Sequence, residues 1–441
     1  MHPDLPAVVG ADLQVPLVDG RTVRYANLDV AASAPALRAV ADEVDALLPW
    51  YSSVHRGAGY ASQVCTRVLE AARETVAEFV GARPDDVAVF TRNTTDALNL
   101  LASCVPGAVL TLDIEHHANL LPWQSLPGSQ VLPARAGVDA TLAAINDTLA
   151  GGRFALLAIT GASNVTGEVL PIAQIVDIAH AYGTRVAVDA AQTAPHRRID
   201  ISASGADYVA LSGHKLYAPY GSGALVGRRD WLDVAAPHLA GGGAVAHVGV
   251  HGTTAEVAWA AAPHRHEAGT PNLLGAAALA AACRTLAPLL DGAASAHEHA
   301  LLTRLTDGLD VIGGVTSLRI WADAPDRVAV ASFVVDGVPA GLVAVYLSAE
   351  HGIGVRDGRF CAHPLLTRLT GGTDAVRVSL GLGSTVDDID RLLAALSALV
   401  ADGPRWDYAV VDGRWAPTPD PRDADPLGIG GGDSTGGTCD G

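Results

Sequence analysis

Two short segments carry the residue types most suited to chemistry. Val186-Ala187-Val188-Asp189-Ala190-Ala191-Gln192 ends an apolar run on an acid, and Ser212-Gly213-His214-Lys215 sets a lysine just past another. A lysine amine held opposite a carboxylate is the arrangement that binds pyridoxal phosphate (PLP): the amine bonds the aldehyde carbon, and the acid keeps the pyridine nitrogen protonated. The pair predicts a chain that carries this cofactor. Thr94 and Thr95, in Arg92-Asn93-Thr94-Thr95-Asp96, offer hydroxyls beside the unpaired N–H groups of a helix start, where a phosphate binds. A plain helix cap is the simpler reading of any Thr-Thr. Ser212 and His214 flank the lysine and add donors. His116, in Glu115-His116-His117-Ala118-Asn119, is a candidate to stack flat on the pyridine ring.

The elements that must position these residues follow from the pattern around them. Short β-branched runs alternate with Ala/Leu-rich stretches, which builds a mostly parallel sheet covered by helices on both faces, an α/β fold. Val87-Ala88-Val89-Phe90-Thr91 reads as a strand leading to a helix from Ala97 to Ser103, with the Thr and Asp residues before it as N-caps. Ala155 to Thr160 reads as a second buried strand. Ile172, Ile175, Val176 and Ala179 keep the i, i+3, i+4, i+7 spacing of a packed helix, and Asp207 to Leu211 leads into the lysine. Beyond about Leu286 the polar strand ends disappear, which suggests a second, smaller lobe. The expected layout is an N-terminal segment 1–34 packed with that lobe, a large domain 35–285, a small domain 286–415 and a disordered tail 416–441.

Composition narrows the functions. With 29 Lys+Arg against 47 Asp+Glu in 441 residues, the formal charge is -18, which disfavours nucleic acid and anionic membranes as partners. No run approaches the ~18 uncharged apolar residues of a membrane span, and Met-His-Pro-Asp-Leu-Pro has no basic n-region or apolar h-region. The expectation is a cytoplasmic protein. Cys65, Cys104, Cys283, Cys361 and Cys439 are far apart without a CxxC, so any important cysteine acts alone. His247 and His251 have the spacing of a zinc helix but lack the adjacent glutamate and span a glycine, so no metal site is expected. Gly428-Ile429-Gly430-Gly431-Gly432 imitates a nucleotide loop, yet no strand precedes it.

Further motifs fall in an order that no single one would make specific. They are Leu28-Asp29-Val30-Ala31-Ala32-Ser33, Val54-His55-Arg56-Gly57, Thr94-Thr95-Asp96-Ala97-Leu98-Asn99, the Glu115 to Asn119 segment with Pro122-Trp123, and Ser163-Asn164-Val165-Thr166-Gly167. After the Asp189 and Lys215 segments come Arg265-His266-Glu267-Ala268-Gly269-Thr270-Pro271-Asn272 and Val355-Arg356-Asp357-Gly358-Arg359-Phe360-Cys361-Ala362-His363-Pro364. Together they resemble the class V aminotransferase family of fold-type I PLP enzymes, in its cysteine desulfurase and selenocysteine lyase branch, over roughly residues 25 to 400. The resemblance implies a large, mostly parallel-sheet domain with helices on both faces, plus a smaller α+β C-terminal domain. It also implies a homodimer with a cysteine-like amino acid as substrate and a sulfur-acceptor protein as a further partner.

Roles are implied residue by residue. Lys215 would bond the cofactor, Asp189 would hold its ring nitrogen, Gln192 would donate to its phenolate oxygen and His116 would stack on it. Thr94, Thr95, Ser212 and His214 would hold the phosphate, joined by Thr270 of a neighbouring subunit. Asn164 and Arg377 would grip the substrate carboxylate, for which a guanidinium fork is suited, with Arg356 nearby. Cys361 would take the substrate's sulfur as a persulfide. A thiolate is the nucleophile in such a step, and Arg356 and Arg359 are expected to favour it. Relatives commonly carry two histidines where this chain has Arg359-Phe360, which alters the charge around the thiol. A PLP C–S lyase acting on a cysteine conjugate, an epimerase or aminotransferase of the same fold, and a cofactor-free binding protein are the alternatives.

Overall fold

Seven strands assemble the central sheet: β1 (Asp86–Thr91), β2 (Val109–Leu112), β3 (Gln130–Leu132), β4 (Leu156–Thr160), β5 (Arg185–Asp189), β6 (Tyr208–Ser212) and β7 (Gly223–Arg228). A computed structural model describes residues 5–55, 57–324 and 326–429. The sheet order is β1-β7-β6-β5-β4-β2-β3. Only β7 runs antiparallel to its neighbours; the other pairings are parallel. Every residue of β2, β4 and β6 is buried, as expected of strands covered on both faces. Gly223 opens β7 where a Cβ would meet Leu211 O at 2.5 Å and Asn93 Cα at 2.8 Å, so glycine lets β7 pass between β6 and the loop after β1.

The covering helices are made by apolar stripes. Leu273–Leu286 is apolar nearly all round and is accordingly a buried helix, packed on Arg38–Leu47 and Tyr60–Phe79. Arg73 of the last helix pairs with the Glu267 carboxylate at 2.6 and 2.9 Å, and Glu267 also accepts from Phe90 N at 2.6 Å. One buried ion pair thus ties a helix, β1 and the segment carrying Thr270. Ile172–Ala181 forms the helix that its spacing predicts. The helix after β1 runs Thr94–Cys104 rather than from Ala97. Its cap is Asn93, whose side chain accepts from Asp96 N, so the two threonines are its first turn and not its caps.

A smaller lobe follows. Its antiparallel sheet orders Val315–Ser317, Val330–Val335, Ala375–Ser379 and Arg356–Gly358, packed with helices Ala293–Asp310, Ala340–His351 and Val386–Asp402. Ala26 and Leu28 of the N-terminal segment lie in this lobe's core with Leu305, Phe333, Leu347 and Leu396. The Ala26–Asn27 strand pairs with Ile353–Gly354.

The segment expected to lack structure from Ala416 opens inside a strand. Arg414–Pro417 pairs with Tyr408–Val411, and Trp406 Nε1 donates to Pro419 O at 2.8 Å. Glu350 of the 340–351 helix accepts from Arg405 N, Trp406 N and Tyr408 OH. Backbone pairing and one carboxylate supply the order that apolar content does not. Cys439 and residues 430–432 lie outside the described residues, as does Arg56. His247 and His251 sit on a strand, Val245–His251, rather than a helix.

Candidate active site

The sheet brings the two founding residues to one edge. Asp189 is the last residue of β5, and Lys215 ends a short turn, Gly213–Lys215, that directly follows the neighbouring β6. Ligands gather at the carboxyl edge of such sheets. Gly213 is required there, since a Cβ would meet Ser222 O at 2.8 Å. Burial pulls the Lys215 ammonium down to about 8, against the opposing attraction of Asp189. Burial likewise pushes Asp189 up, although one of its oxygens accepts from Ala191 N at 2.9 Å. A low-lying amine beside a buried acid is suited to bonding an aldehyde and holding a ring cation.

The phosphate candidates meet across two elements. Thr94 N donates to Ser212 Oγ at 2.8 Å and its hydroxyl lies 2.9 Å from the same oxygen, joining the 94–104 helix start to the end of β6. Thr95, next in that first turn, is exposed, and His214 is half-buried, its cation disfavoured by burial. Thr270 is exposed and lines a surface pocket of about 300 Å³ with His55 and His264. Within this chain Thr270 is not bonded to the Thr94–Ser212 pair.

The segments of His116 and Cys361 are joined through the backbone of His117. His116 Nδ1 accepts from Ala118 N at 3.0 Å, and burial, with the charge of Lys215, drops its pKa to about 3. The ring is therefore neutral at ordinary pH, as a stacking partner should be. The next residue's N–H, that of His117, donates to Cys361 O at 2.7 Å, and Asn164 Nδ2 donates to Phe360 O at 2.8 Å. Phe360 and Cys361 both have φ of 52°, a left-handed conformation uncommon for such residues and held here by those two bonds. Arg377 is buried: one nitrogen donates to Asn164 O, another to Asp29 Oδ1, and its Cζ lies 5.2 Å from the centre of the Phe360 ring.

Unpaired atoms test whether PLP and an amino acid fit. Gln192 Oε1 and Arg377 Nε are buried without a hydrogen-bond partner, although Gln192 Nε2 reaches Ala31 O at 2.8 Å. Buried polar atoms without partners are costly: the Arg377 Nε–H is a donor suited to a carboxylate, whereas Gln192 Oε1 is an acceptor, so a phenolate oxygen would be met by the second hydrogen of Gln192 Nε2. With Lys215 and Asp189, the donor set fits the cofactor.

One expectation is corrected. Arg356 is exposed and paired with Asp29 at 2.9 Å, and Arg359 bonds Asp374 and Gly372 O. Both guanidiniums are engaged by oxygens of their own surroundings. The cations close enough to Cys361 to interact with it are instead Lys215 and Arg377, both of which burial lowers. Asp29 is a residue that reasoning from motifs missed, although it stands in a quoted motif: it holds Arg356 with one oxygen and Arg377 with the other. Glu115 was missed too. It is fully buried, accepts from Asn119 Nδ2 at 2.7 Å and is pushed well up by burial.

Comparison with known proteins agrees with this arrangement. The family described as "Aminotransferase class-V" matches residues 26–392. A probable cysteine desulfurase of Pseudomonas aeruginosa is 41% identical over 386 residues, spanning 84% of this chain and 92% of that protein. A cysteine desulfurase of Dickeya dadantii is 38% identical over 393 residues, spanning 86% and 92%. The solved cysteine desulfurase of Thermococcus onnurineus NA1 superposes with a TM-score of 0.78 at 32% identity, covering 85% of this chain and 94% of that one. For a cysteine desulfurase of Escherichia coli the TM-score is 0.74 at 34% identity, with 84% and 94% covered. Lys215 and Asp189 on adjacent strand ends, in a sheet with one antiparallel strand, are thus features of a fold-type I enzyme. The chain belongs to the class-V aminotransferase family.

Proposed function

We propose that this protein is a PLP-dependent cysteine desulfurase that converts L-cysteine to L-alanine and leaves the sulfur on Cys361 as a persulfide. The reaction balances as substrate thiol plus Cys361 thiol giving alanine plus Cys361–S–SH: a C–S bond breaks and an S–S bond forms. PLP, held by Lys215, Asp189, Gln192, His116 and the Thr94, Thr95, Ser212 and His214 group, would supply the electron sink that labilises the Cα proton. Lys215, neutral above about pH 8, takes and returns that proton. Arg377, with Asn164 beside it, receives the substrate carboxylate on its unpaired Nε–H. Asp29, which also pairs with Arg356, holds that guanidinium. Cys361 attacks the substrate sulfur.

The observation that supports this reading best is the Cys361 segment's attachment to the lysine site: His117 N–H binds its carbonyl one residue from His116, and Asn164 Nδ2 binds the carbonyl of Phe360 before it. Incubation with L-cysteine should yield alanine and protein-bound persulfide together. Release of sulfide and pyruvate by Cys361→Ala as fast as by the parent would replace the reading with that of a C–S lyase. The enzyme is read as a cytoplasmic homodimer in which Thr270, exposed within one chain, completes the partner's phosphate pocket. No described helix is long and apolar enough to cross a membrane. Iron–sulfur cluster assembly is the class of pathway that would consume the persulfide sulfur.

A further inference from the structure

Tyr217 is unaccounted for by the roles above. It stands two residues after Lys215 and is 1% exposed. Its φ is 59°, a left-handed conformation that a bulky aromatic residue keeps only where its surroundings hold it. Two bonds do so. The Tyr217 carbonyl accepts from Leu37 N at 3.1 Å, and the hydroxyl oxygen accepts from Leu382 N at 2.9 Å. The turn that places the lysine thus sends a side chain across to the small lobe.

The receiving segment is shaped for that hydroxyl. Leu382 lies three residues past the end of Ala375–Ser379, the strand that carries Arg377. Gly381 has no room for a side chain, since a Cβ there would overlap the Tyr217 hydroxyl and stand 3.0 Å from Val30 Cγ1. Ser384 closes the segment on itself: its Oγ accepts from Gly381 N at 3.1 Å, and its N–H donates to Gly381 O at 3.0 Å. Burial, joined by the charge of Glu298, pushes the phenol well up, so the oxygen remains a neutral hydroxyl. Leu382 is itself buried, and removing that oxygen would leave its N–H without this acceptor. Lys215 and Arg377 are close enough that Arg377 disfavours the lysine cation, yet they belong to different lobes. Their relative placement depends on what joins the lobes beside them.

We propose that Tyr217 is a positioning residue that fixes Lys215 and Arg377 relative to each other, by locking the lysine turn onto the segment that ends the Arg377 strand. The proposal rests on the reading of Lys215 as the cofactor lysine and Arg377 as the receiver of the substrate carboxylate. Its consequence is selective. Ligands that carry a carboxylate need both residues in register, and amines without one need only the lysine turn.

The test uses the full-length holoenzyme with L-alanine and ethylamine, which differ by the carboxylate alone; the absorbance change on adding each gives its affinity. Tyr217→Phe removes only the hydroxyl. It should weaken L-alanine on the order of tenfold, about the worth of one buried hydrogen bond, and ethylamine by less than about twofold. Equal losses for the two ligands, or none for either, overturn the proposal. Gly381→Ala reaches the same contact from the small lobe. It should weaken L-alanine in the parent but much less in Tyr217→Phe, where the overlapping oxygen is gone, so additive losses also overturn the proposal. Should Tyr217→Phe fail to fold, Gly381→Ala alone decides by the same ligand comparison. Amide exchange followed by mass spectrometry needs neither ligand: residues 212–218 and 375–384 should both exchange faster in either variant, and unchanged exchange overturns the tie. A parent that responds to neither ligand would defeat the reading of Lys215 and Arg377 by a separate result, and the exchange comparison would still decide whether Tyr217 joins the two segments.

Discussion

At the scale of single residues, the site works by moving protonation states with burial. Lys215 loses its proton near pH 8, well below a free lysine, so the neutral amine that attacks an aldehyde becomes abundant as pH rises through that value. The rate at which cofactor-free protein takes up PLP should climb with pH to about 8 and level off above it, followed by visible absorbance. Lys215→Ala should show no pyridoxyl group fixed by borohydride, and fixation in that variant would remove the basis of the site. Cys361→Ala should keep the spectrum and the response to L-cysteine while alanine production falls by orders of magnitude. The same thiol should outpace Cys104 and Cys283 in alkylation, because burial pushes both of those up and Cys361 alone of the three is partly open.

Elements decide how these residues are held. The first turn of Thr94–Cys104 is set by Asn93, and Asn93→Ala should cost about 1 kcal/mol of stability and weaken PLP binding by freeing the Thr94 end. The Arg73–Glu267 pair is a stronger case, with both side chains nearly out of solvent. Removing one partner leaves the other charge buried and unpaired, so Glu267→Ala should lower stability by about 3–5 kcal/mol in chemical denaturation. The strands β1, β4, β5 and β6, the helix at 172–181 and the edge carrying Asp189 and Lys215 were legible from the sequence pattern, because packing on a two-sided sheet demands an uninterrupted apolar run, whereas β2, β3 and β7 carried no motif that singled them out. The helix start at Thr94 was misplaced: Thr, Asp and Asn all make good caps, and which one serves depends on where Ser212 pins the turn. The Arg414–Pro417 strand was invisible to composition, since a hairpin held by backbone bonds and Glu350 needs few apolar residues.

For the whole molecule, the exposed Thr270 argues for sites shared between subunits. Mixing Lys215→Ala and Thr270→Ala chains should give heterodimers with one doubly damaged site and one intact site, so activity should reappear relative to either variant alone. Persistent inactivity of isolated heterodimers would mean that Thr270 does not serve its partner. Two cores, one around the large sheet and one in the small lobe that draws in Ala26 and Leu28, bring Asp29 and Ser379 side by side and set Asp29 against Arg377. What the sequence by itself determined is the chemistry available: a lysine and an aspartate at strand ends, a helix-borne Thr-Thr, and a cysteine in a polar segment. Types and local spacing suffice for these, because neighbouring strands of a parallel sheet end at one edge. Only the tertiary structure decided which charges face Cys361. Arg356 and Arg359 are its neighbours in the chain, yet Asp29 and Asp374 take them, while Lys215 and Arg377 arrive from other segments. Electrostatic interaction follows distance in space, and a residue's nearest charges are those that the packing of the two lobes brings to it.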